Sequence, residues 1–174
     1  DASAAQSSKA EQTDSTAPDA ARVCASEIHS GMTPANSRWF GLSVAGTDEE
    51  GRRWLDGAAT VLWENIHMSN FDAAGFECCL DVVDAGWFAL YVDEDKEAGG
   101  FHFEQWPLYQ VFCASSKRGG TIDIVHRTYK LTALQCVNEF GEDKVSRNTR
   151  KLVEDGKGQT QVDILHIIEP HQTY

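Results

Sequence analysis

Residues 75–92 read GFECCLDVVDAGWFALYV, and the assignment of this run to helix or strand decides the fold class. Cys78 to Val83 and Trp87 to Val92 are apolar, rich in branched and aromatic residues, and separated by Asp84-Ala85-Gly86. Gly in a short break between two such runs is the signal of a β-hairpin, so the stretch predicts two antiparallel strands. On a strand, adjacent side chains point to opposite faces, which sends Cys78 and Cys79 to different partners. A bridge within a Cys-Cys dipeptide is disfavoured by disulfide geometry. Cys24, Cys113 and Cys136 are the remaining candidates, and five thiols allow two bridges with one left over.

Downstream, the same pattern continues. Phe101–Trp106 and Leu108–Ala114 are strand-like runs broken at Pro107, and Lys117-Arg118-Gly119-Gly120 marks a turn. Thr121–Leu134, Arg150–Val153 and Gln161–Ile168 read as further strands, the last closed by Pro170. Upstream, Arg38–Ala45 is also strand-like. Two helices precede the main β region. Thr16-Ala17-Pro18-Asp19 fits a helix start, and Ala20, Cys24 and Ile28 then recur every four residues, which predicts a helix ending near Gly31 with Cys24 turned inward. Thr47-Asp48-Glu49-Glu50 reads as a capping signal, and Trp54, Leu55, Ala58, Val61, Leu62 and Ile66 trace an apolar face, which predicts a helix over 48–68. The expected class is α+β: an antiparallel sheet with two helices from the N-terminal half on one face, stabilised by disulfides.

Residues 1–19 contain no aromatic residue and no Val, Ile or Leu, so they read as a flexible tether before a single domain over 20–174. The chain starts at Asp1 rather than Met. With the tether and the cysteines, that start predicts an exported protein, periplasmic or extracellular, whose leader has been removed, with a lipoprotein anchor on the removed part as a variant. No apolar run approaches the length of about 20 residues needed for a membrane span.

Charge narrows the partners. The 174 residues hold 15 Lys and Arg against 27 Asp and Glu, a formal net charge of −12. On that balance, nucleic acid is excluded and a basic or cationic protein partner is expected. The acids concentrate at Asp48–Glu50 and at Asp93, Glu94, Asp95 and Glu97. Trp87, Tyr91, Trp106 and Tyr109 flank the second cluster and supply rigid contact area for a protein or a stacked sugar. The leading expectation is an acidic binding protein, such as an inhibitor or immunity protein that covers a toxin or hydrolase active site.

Two alternatives accompany it. His102, Glu104, His126 and His166 are polar positions on apolar strands, and their convergence would make a metal-dependent or His/carboxylate hydrolase. An exposed aromatic row would make a carbohydrate or small-ligand module. No cofactor is expected, apart from calcium as a weak candidate. Asp93, Asp95 and Glu97 alternate and Glu104 stands twelfth, but Ala98 occupies the place where a helix-loop-helix calcium loop requires Gly.

Overall fold

The computed structural model describes residues 14–96 and 99–171. It is α+β with antiparallel sheets, and it divides between Trp106 and Pro107 into two compact units, whereas the sequence reading placed one domain over 20–174.

The first unit contains helices α1 (Thr16–Met32), α2 (Glu49–Met68) and α3 (Phe71–Ala85), then the hairpin β1 (Leu90–Glu94) and β2 (Phe101–Gln105). α2 begins as its sequence predicts, with Asp48 as the cap: its carboxylate accepts a hydrogen bond from Gly51 N at 2.9 Å. Glu49 and Glu50 occupy the first turn, where the helix dipole favours acids. Arg38–Ala45, expected as a strand, has no regular structure. Arg38 instead ties this segment to α2, donating to Asp56 O at 2.8 Å and Thr60 Oγ1 at 3.0 Å and pairing with the Asp56 carboxylate.

The opening run is the main correction. Residues 71–85 are helical, so GFECCLD lies inside α3 and Gly86, with φ 81°, is its left-handed C-cap rather than a hairpin turn. Packing explains the choice. Ala74, Gly75 and Cys78 form a buried small-residue strip, and α1, whose Ala25 is fully buried, lies along α3. The approach is close enough that a Cβ on Gly75 would stand 3.0 Å from His29 Nε2. At its N-terminus α3 is fastened to β2 by Asn70. The amide donates to Phe103 O at 2.6 Å, and its oxygen accepts from Phe103 N at 2.8 Å. A two-stranded hairpin is marginal alone, and this clamp supplies the helix support it requires. Phe103 then packs edge-on to Phe71 at 5.1 Å.

The second unit contains a 3-10 turn (Leu108–Gln110), β3 (Val111–Ala114), β4 (Ile124–Thr132), α4 (Ala133–Phe140), α5 (Arg147–Glu154) and β5 (Gln161–Ile168). The sheet order is β3-β4-β5, both pairs antiparallel. The long strand expected over 121–134 stops at Thr132, because Thr132 and Gln135 form a capping box that starts α4. Arg150–Val153, expected as a strand, lies in α5, whose cap is Ser146, accepting from Thr149 N at 3.1 Å.

All five cysteines are unpaired, which removes the expected disulfide framework. Successive helical residues are about 100° apart, so Cys78 is buried while Cys79 is half-buried at its side. Burial pushes the Cys78 thiol up to about 11, helped by Asp81, Cys79 and Glu77, and burial also raises Cys79 and Cys136. These thiols stay protonated and behave as small core residues. Cys24, expected inward, is exposed on α1, and Cys113 is exposed on β3.

Both cores are thin. Among the described residues the buried apolar set is Ala25, Ala59, Ala74, Cys78, Phe103, Trp106, Val111, Ala133 and Cys136. Only two of these are aromatic, so much large apolar surface lies elsewhere.

Candidate functional site

The expected histidine cluster does not assemble within the sheet of the second unit. His126 stands opposite Ile167, and His166 stands opposite Arg127. Facing residues share a face and neighbours alternate, so the two imidazoles lie on opposite sides. His102 and Glu104 belong to the other unit, on one face of β2, opposite Asp93 and Tyr91. Among the described residues, no three His, Cys, Asp or Glu side chains are gathered for a metal ion.

The acidic hairpin tip is stabilised from within. Asp95 N donates to Gly100 O at 3.0 Å, and Gly99 N donates to Asp95 O at 2.8 Å. Asp93 Oδ1 accepts from Glu94 N at 2.8 Å. Glu97 lies outside the described residues. The aromatic residues separate by role. Trp106 is only 3% exposed and stacks on Tyr91 at 4.9 Å, so this pair is packing. Burial, with Asp93 and Glu104 nearby, raises the Tyr91 hydroxyl above its ordinary value. Trp87 and Tyr109 are exposed, in the first and second unit respectively.

Sequence reasoning missed three features. One is His67, whose Nδ1 meets Asp72 Oδ1 at 2.9 Å while its Nε2 accepts from Trp39 Nε1 at 3.2 Å. That pairing ties the irregular segment after α1 to the α2–α3 junction.

The second is open apolar surface. Trp54 is 71% exposed and Met68 85%, with exposed Val61 midway, so these residues recur every seven positions along α2. The sequence reading placed Trp54 and Val61 on the buried face. Exposed residues at this spacing form one stripe along a helix. On the sheet of the second unit, Phe112 and Leu165 are 59% and 58% exposed, and Ile167 is exposed beside them. The register sets Phe112 and Ile167 opposite His126, and Leu165 opposite Thr128, so all three occupy one face.

The third is α5. Thr149 is buried, and Leu152 and Val153 are half-buried against the rest of the unit, which turns Arg147, Asn148, Lys151, Glu154 and Asp155 outward. With half-buried Arg150 they line a cleft of about 660 Å³. Arg150 donates from Nη2 to Val145 O at 3.3 Å, while its buried Nε has no partner. A count by unit exposes the charge setting. Residues 1–106 hold 6 Lys and Arg against 19 Asp and Glu, net −13, and residues 107–174 hold 9 against 8, net +1.

Contiguous exposed apolar faces of this kind have the character of contact surfaces. The chain belongs to the bacteriophage head to tail connecting protein family, which it matches over residues 1–174. It is 27% identical over 161 residues to a probable portal protein of Bordetella phage BPP-1, covering 90% of this chain and 29% of that protein. It is 28% identical over 156 residues to the portal protein of Salmonella phage epsilon15, covering 87% of this chain and 28% of that protein. The chain therefore spans less than a third of the length of these relatives.

Family membership overturns the exported reading. The family is that of a bacteriophage head to tail connecting protein, so the secreted or periplasmic inhibitor, immunity protein or lipoprotein does not stand, and neither does the hydrolase or the carbohydrate module. The unpaired thiols remove the structural need for an oxidising compartment. The basic-partner expectation and the exclusion of nucleic acid fall as well. The exclusion of nucleic acid had rested on a charge averaged over two units of very different balance.

Proposed function

We propose that this chain is a structural part of a portal-like head-to-tail connection, and that it works by assembling with other protein chains of the phage particle. The observation that carries this reading is the large apolar surface left open on both units: the Trp54, Val61 and Met68 stripe on α2, and the Phe112, Leu165 and Ile167 face of the sheet. Isolated exposed apolar residues are ordinary, whereas contiguous sets mark contact surfaces. An exposed Trp within such a set is the residue type most often found at the energetic centre of an interface. Exposed Trp87 and Tyr109, with the hairpin acids Asp93, Glu94 and Asp95, are further contact candidates in this reading.

Immunogold electron microscopy of intact phage particles, with antibodies raised against this chain, tests the assignment. Label concentrated at the single vertex where tail meets head is the expected result. Label spread over the head shell, or absent from particles altogether, would overturn it.

A further inference from the structure

α1 lies on its unit along a shallow face. Ala25 is the one residue of this helix that is buried, while Val23 and Met32 are largely exposed, and elements covered so little open at low cost. Its partner is α3, and two imidazoles hold the arrangement. His29 lies against Gly75 at the crossing, its Nε2 buried and without a hydrogen-bond partner among the described residues. Its neighbours one turn away on α1, Ala25, Ser26, Met32 and Thr33, carry no charge, and the Phe71 ring borders the same spot on α3. Asp72, one turn before Gly75, is engaged by His67. His67 Nδ1 meets Asp72 Oδ1 at 2.9 Å, and Trp39 Nε1 donates to its Nε2 at 3.2 Å. An indole N–H only donates, so Nε2 must be free of hydrogen and Nδ1 holds the proton directed at Asp72. The His67 side chain is 10% exposed, with the Trp63 and Phe71 rings at 5.2 and 5.7 Å. The other charged groups around it are exposed Glu64, one turn back on α2, and Arg38, next to Trp39 and paired with Asp56.

We propose that His29 and His67 make α1 an acid-released arm: once both are protonated, α1 leaves α3 and turns about Arg38. Each step has its own cause. Protonation places a hydrogen on His67 Nε2, so two N–H groups face each other and the Trp39 bond is lost, while the Asp72 contact strengthens as an ion pair. At the crossing, a cationic His29 has no acceptor, and a buried charge without a partner is relieved by reaching water. For Nε2 that requires α1 to lift from Gly75. Arg38 keeps its bonds to Asp56 O and Thr60 Oγ1, neither of which titrates, so the segment after α1 stays attached to α2. Residues 33–37 join α1 to this pivot, an extended reach of about 17 Å. Release uncovers the strip of Ala74, Gly75 and Cys78 on α3. At 17 residues α1 has a length at which an isolated helix is marginal in water, so it melts once it is free.

Cys78, in the strip that α1 covers, supplies the readout. A pyridyl disulfide reagent attacks accessible thiols in acid as well as at neutral pH. The whole chain is labelled across the range in which imidazoles change charge, about pH 8 to about pH 5, and the modified cysteines are mapped by mass spectrometry. Exposed Cys113 corrects for the reagent's own pH dependence, and buried Cys136 of the second unit reports general unfolding. Losing a buried hydrogen bond shifts an opening equilibrium about tenfold, so Cys78 should react about tenfold faster or more, relative to Cys113, at the acid end while Cys136 stays protected. His67→Gln, which can still accept from Trp39 but does not titrate, should reduce the rise, as should His29→Leu, and the two together should abolish it. Cys78 protected throughout the range overturns the proposal, and so does a rise that Cys136 shares. A rise undiminished in either single variant overturns it as well. The comparison of Cys78 with Cys136 in the unaltered chain decides the matter even if a variant fails to fold.

Discussion

Replacing Gly75 by Ala sets two effects of known size against each other at the crossing of α1 and α3. Gly in a helix interior is less favourable than Ala by about 1 kcal/mol, so propensity alone makes the change stabilising. The new Cβ would stand 3.0 Å from His29 Nε2 and 3.3 Å from its Cδ2, so the imidazole must give by a few tenths of an ångström. Forcing a group into a packed contact of that kind costs about 1–3 kcal/mol. The net expectation is a loss of 0 to about 2 kcal/mol. Gly57→Ala is the control, because its Cβ meets nothing within 4 Å on the exposed side of α2 and should gain most of the propensity term. The difference between the two variants, about 1–3 kcal/mol, isolates the helix crossing. Urea unfolding followed by far-UV circular dichroism measures it, provided the two variants share a common m-value. If Gly75→Ala stabilised as much as Gly57→Ala, the close α1–α3 packing and the account of why 71–85 is helical would both be refuted.

Asn70→Ala removes two bonds to the backbone of Phe103 and strands a half-buried N–H and C=O, an expected cost of about 2–4 kcal/mol with faster amide exchange at Phe103. Unchanged exchange there would show the clamp to be idle. In native protein, a thiol reagent should modify Cys24 and Cys113 readily and Cys78 and Cys136 only after denaturation, with five free thiols by intact mass. A mass lower by two or four protons before reduction would contradict this. Because the Cys78 thiol titrates near 11 when folded and near 9 when unfolded, the unfolded chain loses its proton first as pH rises. Stability should therefore fall between pH 9 and 11, by no more than about 2.7 kcal/mol, and Cys78→Ala should remove that slope. Asp123, held below the usual carboxylate range by bonds from the Ser116 hydroxyl and N–H, acts at the other end. Its contribution is present above the unfolded carboxylate range and is lost as pH falls through the folded value, so the protection of the Ser116 amide relative to its intrinsic exchange rate should fall in acid.

The elements legible in the sequence are those whose signals are local. Asp48 followed by two acids locates α2, and Pro18 in a first turn locates α1. The strands β2 and β5 fall within runs of branched and aromatic residues, and β1 shares Leu90 to Val92 with one. α3 was misread although a helical period was present: Glu77, Asp81 and Asp84 recur at i, i+4 and i+7, but the branched and aromatic run that continues past Gly86 masked it. Gly86 added to the confusion, since a positive φ serves a hairpin and a helix C-cap equally. The small strip of Ala74, Gly75 and Cys78 was the available clue, but it acquires meaning only once α1 is placed against it. Thr132 and Gln135 were a readable cap that the strand-like run before them concealed. The candidate site was hidden differently. Trp54 and Val61 look like core residues in any amphipathic reading, and their exposure is a tertiary fact. The α5 cations were visible but were submerged in a whole-chain charge of −12.

The order β3-β4-β5 has a mechanical consequence. Both outer strands run antiparallel to β4, so β3 and β5 point the same way. A pull between the chain entering at Val111 and the chain leaving at Ile168 draws the outer strands in opposite directions along their own axes. Both ladders are then loaded in shear, and their bonds must yield together rather than peel apart singly. The four-residue β3–β4 ladder, Val111↔Arg127 to Ala114↔Ile124, is the shorter one and fails first, while the eight pairs of β4–β5 hold. Under tension this unit yields at its entrance before its exit.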